Sequence, residues 1–159
     1  MTEKIVIGST RAGLILKNEI ITYLDNKGIA VNDVGMKENG EFVPYHKAAM
    51  AVASRVSKKE YNHGIIICGT GAGSVITAAK FKGVYPVHVT NTFMAQKARS
   101  VNNCNVLVLG EWLTPLQHAL QMVDTWLETE FGDGVDDEWK KSLLNFYEEV
   151  QNFEEEQFK

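Results

Sequence analysis

Two cysteines in 159 residues leave no room for a disulfide framework, and Cys68 and Cys104 read as free thiols beside strand-like runs. No apolar run reaches membrane-spanning length, and no basic segment followed by a long apolar stretch opens the chain. The expected compartment is therefore the cytoplasm, with no membrane partner. No basic stripe and no aromatic–basic interleaving is present, which argues against a nucleic-acid partner. The spacing G-x-G-x-x-G is missing, as is G-x-x-x-x-G-K-S/T, so a nucleotide role would rest on fold analogy alone. G-x-S-x-G is absent too, which removes the nucleophile elbow of a serine hydrolase. His46, His63, His88 and His118 show no ligand spacing, so no metal is expected. With no repeat, linker or low-complexity stretch, residues 1–159 read as a single domain.

What is present is ordinary in amount and uneven in distribution. An apolar content of 45% and a charged content of 23% suit one globular domain with a sizeable core. The net charge is −4, yet residues 133–159 hold nine carboxylates against Lys140, Lys141 and Lys159. That segment is −6 and residues 1–132 are +2. The acidic stretch reads as a solvated helix over about 136–156, and Trp139, Leu143, Phe146 and Val150 give it an apolar face. Such a face packs on the domain or on a second subunit.

Apolar strand-like runs alternate with helical periodicity along the chain. Residues 4–8, 29–34, 64–68, 84–89 and 104–110 read as five strands, with Pro86 the weak point of the fourth. Helical patterns fill the gaps: an apolar face from Leu14 to Leu24 closed by Gly28, another from Ala48 to Val56, one over 92–100, and one from Pro115 to about Glu130. Near-continuous apolar strands with helices between them predict a doubly covered parallel sheet. Ligands in such folds sit at the carboxyl ends of strands. Gly8-Ser9-Thr10-Arg11, Cys68-Gly69-Thr70 and Thr90-Asn91 all fall there.

The densest chemistry lies at Cys68-Gly69-Thr70-Gly71-Ala72-Gly73. A thiol closes the third strand, a glycine-rich turn follows, and a helix begins. Free thiols titrate near 8.5, and a helix N-terminus lowers that value. Cys68 is therefore a candidate base for removing a proton from carbon beside a sugar carbonyl. The turn can offer backbone N–H groups to the resulting enediolate, small residues allow close approach, and Thr70 adds a hydroxyl. The alternative is an inert strand cysteine before an ordinary turn. Arg11, where the first strand meets the first helix, either pairs with a phosphate or carboxylate or is a solvated helix-start residue.

Three ordered motifs resemble the ribose-5-phosphate isomerase B / galactose-6-phosphate isomerase family over roughly residues 4–134. Ile67-Cys68-Gly69-Thr70-Gly71-Ala72-Gly73 is similar to its I-C-G-T-G-x-G active-site loop. Residues Asn102 to Gly110 (NNCNVLVLG) are similar to its N-x-x-N-V-L-x-L-G stretch. Trp126 to Phe131 (WLETEF) matches the segment before its tail. The resemblance implies a Rossmann-like three-layer α/β/α fold with a five-stranded parallel sheet and a C-terminal helix. It implies an aldose–ketose isomerase without metal or organic cofactor, acting on a sugar or sugar phosphate. Homodimers or homotetramers with active sites at the subunit interface are implied, or a heteromer with a family homologue. It implies that Cys68 moves the proton and that the loop with Thr70 stabilises the enediolate. Ser9, Thr10, Arg11, Gly69, Gly71, Gly73 and Asn102 would bind substrate.

Other positions depart from the family pattern. Its opening G-x-D-H-A-G stands here as Gly8-Ser9-Thr10-Arg11-Ala12-Gly13, so Thr10 and Arg11 replace an aspartate and a histidine. Its ring-opening histidine is Val101, and Val135 and Trp139 replace tail arginines that bind phosphate. The expectation is thus threefold: isomerisation of a different sugar acid or sugar phosphate, a subunit of a heteromeric isomerase that needs a partner, or a sugar-binding relative of low activity.

Overall fold

The computed structural model describes residues 4–159. Five strands alternate with helices: β1 (Lys4–Ser9), β2 (Ala30–Asp33), β3 (His63–Cys68), β4 (Pro86–His88) and β5 (Val106–Gly110). A 3₁₀ turn (Arg11–Gly13) leads into α1 (Leu14–Asn26). Then follow α2 (Tyr45–Ser57), α3 (Ala72–Ala78), α4 (Thr92–Ser100), α5 (Leu116–Glu128) and α6 (Asp137–Gln157). All strand pairs are parallel, in the order β2-β1-β3-β5-β4.

The three central strands are apolar on both faces because both faces are covered. Ile5, Ile7, Ile65, Ile67, Leu107 and Leu109 point to one side, where Leu16, Ile20 and Leu24 of α1 meet Met122, Val123 and Trp126 of α5. Val6, Ile66, Val106 and Val108 point to the other, against Ala49, Val52, Ala53 and Val56 of α2 and Ala78 of α3. This is the doubly covered parallel sheet that the alternating pattern predicts, and the Rossmann-like three-layer architecture that the family resemblance implies.

The fourth strand is shorter than its apolar run. Tyr85 donates its amide to the Asn105 side chain at 2.8 Å, and Asn105 Nδ2 donates to the Gly83 carbonyl at 2.7 Å. One asparagine thus takes over the ladder on both sides of residue 84, and regular pairing starts only at Pro86, which has no N–H to give. The fifth strand likewise begins at Val106 rather than Cys104, and α5 stops at Glu128.

The long helix α6 starts where Asp136 caps it, its Oδ1 accepting from the Trp139 amide at 2.7 Å. Asp137 and Glu138 in its first turn suit the positive end of the helix dipole. Only Leu143 of this helix is buried, whereas Trp139, Phe146, Val150 and Phe153 stay exposed. Its far end is tied to the domain by Lys82–Glu155 at 2.6 Å and by Glu154, which accepts from the Gly83 amide at 2.8 Å. No helix among the described residues is long and apolar enough to cross a membrane.

Candidate active site

The chain leaves β1 toward β2 on one side and returns to β3 on the other, so the carboxyl ends of β1 and β3 flank a topological switch point. Ser9 ends β1 and Cys68 ends β3, with Ser9 paired to Ile67. Two glycines make this junction tight. A Cβ on Gly13 would fall 2.5 Å from the Ile67 carbonyl oxygen, and one on Gly35 would fall 2.2 Å from the Ser9 nitrogen. Only glycine lets the 3₁₀ turn and the loop after β2 close on the strand ends.

Cys68 is partly exposed, unlike Cys104, which is fully buried. Burial pushes the Cys104 thiol up to about 11, so this sulfur is a poor nucleophile. Alkylation by iodoacetamide at neutral pH is accordingly expected to label one site per chain, and peptide mapping should place it on Cys68.

The glycine loop is fixed by contacts on every side. The Cys68 carbonyl accepts from the Glu111 amide at 2.8 Å, and the Gly69 carbonyl from the Trp112 amide at 3.1 Å. Glu111 also reaches across the site, its Oε2 accepting from the Leu16 amide at 2.9 Å in the first turn of α1. It serves the helix as a cap that Gly13 has no side chain to provide. The Trp112 ring lies on Gly69, and the Tyr45 ring lies on Gly73, where a Cβ would meet ring atoms at 2.9 and 2.6 Å. Gly71 has φ of +87° and precedes α3 with no side-chain cap, so the amides of Gly73 and Ser74 in the first turn find no partner inside the helix. Thr70 is exposed beside them, its Oγ1 accepting from the Ala72 amide at 3.4 Å. An open thiol next to uncapped amides is suited to proton abstraction and to holding the anion that results.

Gly71→Ala forces a side chain into left-handed backbone and toward His88. It is expected to lose about 1–2 kcal/mol of stability. Urea unfolding checks this.

The other candidate residues divide between the two edges of the sheet. Ser9 is fully buried with no partner for its Oγ, and Thr10 donates from Oγ1 to the Val43 carbonyl at 2.7 Å. Thr10 thereby pins the loop that precedes α2 and Tyr45. Arg11 is exposed at the rim. Asn102 is not brought to Cys68 within one chain. It sits in the turn between α4 and β5, at the amino-terminal edge of the sheet, beside Val101 and Pro86. Two clefts of about 660 and 560 Å³ open on that edge, and neither includes Cys68. The Tyr45 and Trp112 rings that lie on the loop beside the thiol are 48% and 71% exposed.

Sequence reading missed three participants. Glu111 looks like a solvated residue after a strand. His88 looks like a strand residue without a role. Lys17 lies within the helical pattern from Leu14 to Leu24 and is completely buried. Its Nζ donates to Asp33 Oδ2 at 2.6 Å and to the Met36 carbonyl. The Gly35 amide donates to Asp33 Oδ1 at 3.0 Å, and the Met36 amide to the Ser9 carbonyl at 2.9 Å. An ion pair between this buried lysine and the half-buried Asp33 thus clamps the loop after β2 onto the end of β1. A lysine four residues past a glycine turn is a signal only once its acidic partner across the fold is known.

A parallel α/β domain with a partly exposed thiol and a glycine loop at its switch point carries them where such folds bind ligands. Residues 5–141 match the family model described as Ribose/Galactose Isomerase. The chain belongs to that family. It is 36% identical over 141 residues to a 4-deoxy-4-sulfo-D-erythrose isomerase from Clostridium sp. (strain MSTE9), spanning 89% of this chain and 88% of the relative. It is 34% identical over 144 residues to a D-erythrulose-4-phosphate isomerase from Pectobacterium atrosepticum, spanning 91% and 94%. Among solved structures, ribose-5-phosphate isomerase B of Clostridium thermocellum superposes with a TM-score of 0.87 at 38% identity, covering 97% of this chain and 99% of that one.

Proposed function

We propose that this protein interconverts an aldose and its ketose by moving a proton between C1 and C2, with Cys68 as the base, on a short open-chain sugar that ends in an anionic group. The observation that carries the reading is the partly exposed Cys68 beside the uncapped glycine loop, in a chain of this isomerase family. The thiolate takes the proton from C2, the C–H electron pair becomes the C1–C2 double bond, and the carbonyl pair moves onto O1. Loop amides and the Thr70 hydroxyl hold that oxygen. Transfer of the O2 proton to O1 and return of the first proton from the thiol to C1 give the ketose.

The substrate class follows from chemistry and from the relatives' names. Two of them act on four-carbon skeletons carrying a sulfonate or a phosphate at C4. Such a tetrose has no free C4 hydroxyl with which to close a five-membered ring, so it arrives open and needs no acid to open it. That suits a chain with Val101 where similar enzymes have a ring-opening histidine. A rim whose cation is Arg11, with Val135 and Trp139 in place of arginines, suits a terminal monoanion better than a dianion. Assays with 4-deoxy-4-sulfo-erythrose, erythrulose 4-phosphate and ribose 5-phosphate test this. The four-carbon compounds should exceed ribose 5-phosphate by about 100-fold in kcat/KM. A preference for the five-carbon sugar overturns the substrate class, and no exchange with any of them overturns the isomerase reading.

Asn102 contributes to this site only if a second copy brings it, because its own chain places it at the opposite sheet edge. Mixing Cys68→Ala with Asn102→Ala subunits should then restore activity that neither homo-oligomer has, since one composite site per mixed pair keeps both residues. Mixed activity no greater than the sum of the separate variants argues that each chain works alone.

A further inference from the structure

His88 is the last residue of the edge strand β4 and reaches the same carboxyl edge as Cys68. It pairs in register with Val108, and its ring meets the glycine loop from below. A Cβ on Gly71 would stand 2.8 Å from His88 Cδ2 and 3.3 Å from Nε2, with Val108 Cγ1 also at 3.3 Å. The imidazole edge therefore touches the one loop glycine with left-handed backbone, φ +87°. Nε2 is buried and has no hydrogen-bond partner. The two elements packed most closely on β4 are β5 and α3, and neither carries a titratable side chain. The loop itself contributes Cys68 alone.

We propose that His88 is a positioning residue for the proton transfer: its uncharged ring props Gly71 in the conformation that turns the loop amides toward the substrate, and a proton on the ring releases that prop. A proton placed on the buried Nε2 has no acceptor to meet in this position. Burial accordingly holds His88 below the usual histidine range. Because β4 is the sheet edge, a charged ring can rotate out to water, which leaves Gly71 unsupported. The inference rests on the isomerase reading for its kinetic half and on the fold alone for its spectroscopic half.

The test follows kcat and KM between about pH 5 and 8 for the wild type, His88→Phe and His88→Ala, alongside the Gly71 amide signal of the wild type. His88→Phe keeps a flat ring under Gly71 and removes the titration. A thiol base alone makes log kcat/KM fall by about one per pH unit in acid, and a second proton on His88 steepens the fall until a further loss of about ten-fold is reached. His88→Phe should keep kcat within about three-fold at pH 8 and show the shallower fall, whereas His88→Ala should lose about ten-fold in kcat with KM nearly unchanged. The Gly71 amide shift should titrate together with the His88 ring. Equal acid slopes in the wild type and His88→Phe overturn the proposal, as does a Gly71 amide indifferent to His88 protonation. If no sugar is turned over, the isomerase reading fails, while the coupling of Gly71 to His88 is still decided by the spectrum.

Discussion

Cys68→Ala should slow deuterium incorporation at C2 of a four-carbon sugar phosphate or sulfonate about 10³-fold, the usual worth of a positioned base. KM should change little, because Arg11, Thr70 and the loop amides all stay in place. Stability should change little as well, since the sulfur is partly exposed and an alanine leaves no large cavity. The reading is specific to this thiol. Cys104 is fully buried, and its Sγ lies 3.1 Å from the Val106 carbonyl oxygen. Cys104→Ala should therefore keep the exchange rate within a few-fold and appear only as a modest fall in stability. Proton exchange by Cys68→Ala within about ten-fold of the wild type, measured by NMR in deuterated buffer, would remove Cys68 from the mechanism.

The second large effect is on folding. Lys17→Met keeps much of the side-chain volume but strips the buried one of two lysine partners from Asp33 and a donor from the Met36 carbonyl. Removing one member of a buried ion pair costs about 3–5 kcal/mol. Lys37 Nζ, 2.7 Å from Asp33 Oδ2, still faces the carboxylate, so the lower end of that range, about 3 kcal/mol, is expected in urea unfolding. Adding Asp33→Asn to Lys17→Met should recover part of the loss, because no lone buried charge remains. A Lys17→Met loss below about 1 kcal/mol would mean that the clamp contributes little. The pH dependence has a definite sign. Burial pushes the Asp33 carboxyl up, but hydrogen bonds from Lys17, Lys37 and the Gly35 amide outweigh it and hold the group below its ordinary value of 3.8. Its contribution is fully present above that value and disappears as pH falls through the lower folded one. The acid unfolding of Lys17→Met should accordingly be shallower than that of the wild type.

Much of this architecture is written in local pattern. Continuous Ile and Val runs can be buried on both faces only in a parallel sheet, and five such runs between helical periods leave few alternatives. The thiol and its glycines could be placed at a strand end from spacing alone. Strand order could not, since nothing local says that β5 lies between β3 and β4. The fourth strand is cut short by a long-range event, the Asn105 side chain taking the Tyr85 amide, which no window around Pro86 contains. Lys17, Glu111 and His88 were missed for the same reason. Each acquires its meaning from a partner dozens of positions away or from packing against a loop. Asn102 shows the converse. Its motif is plain in sequence, but its own fold carries it to the far edge of the sheet.

The outermost strands have a bearing on how the protein behaves in quantity. β2 has four residues and β4 has three, and β4 opens on a proline. An approaching strand finds few free amides on either rim and one position with none. Stacking of copies into ribbons by hydrogen bonding is thereby disfavoured. The exposed apolar side chains of α6 offer copies of the chain a different kind of contact, one limited by shape.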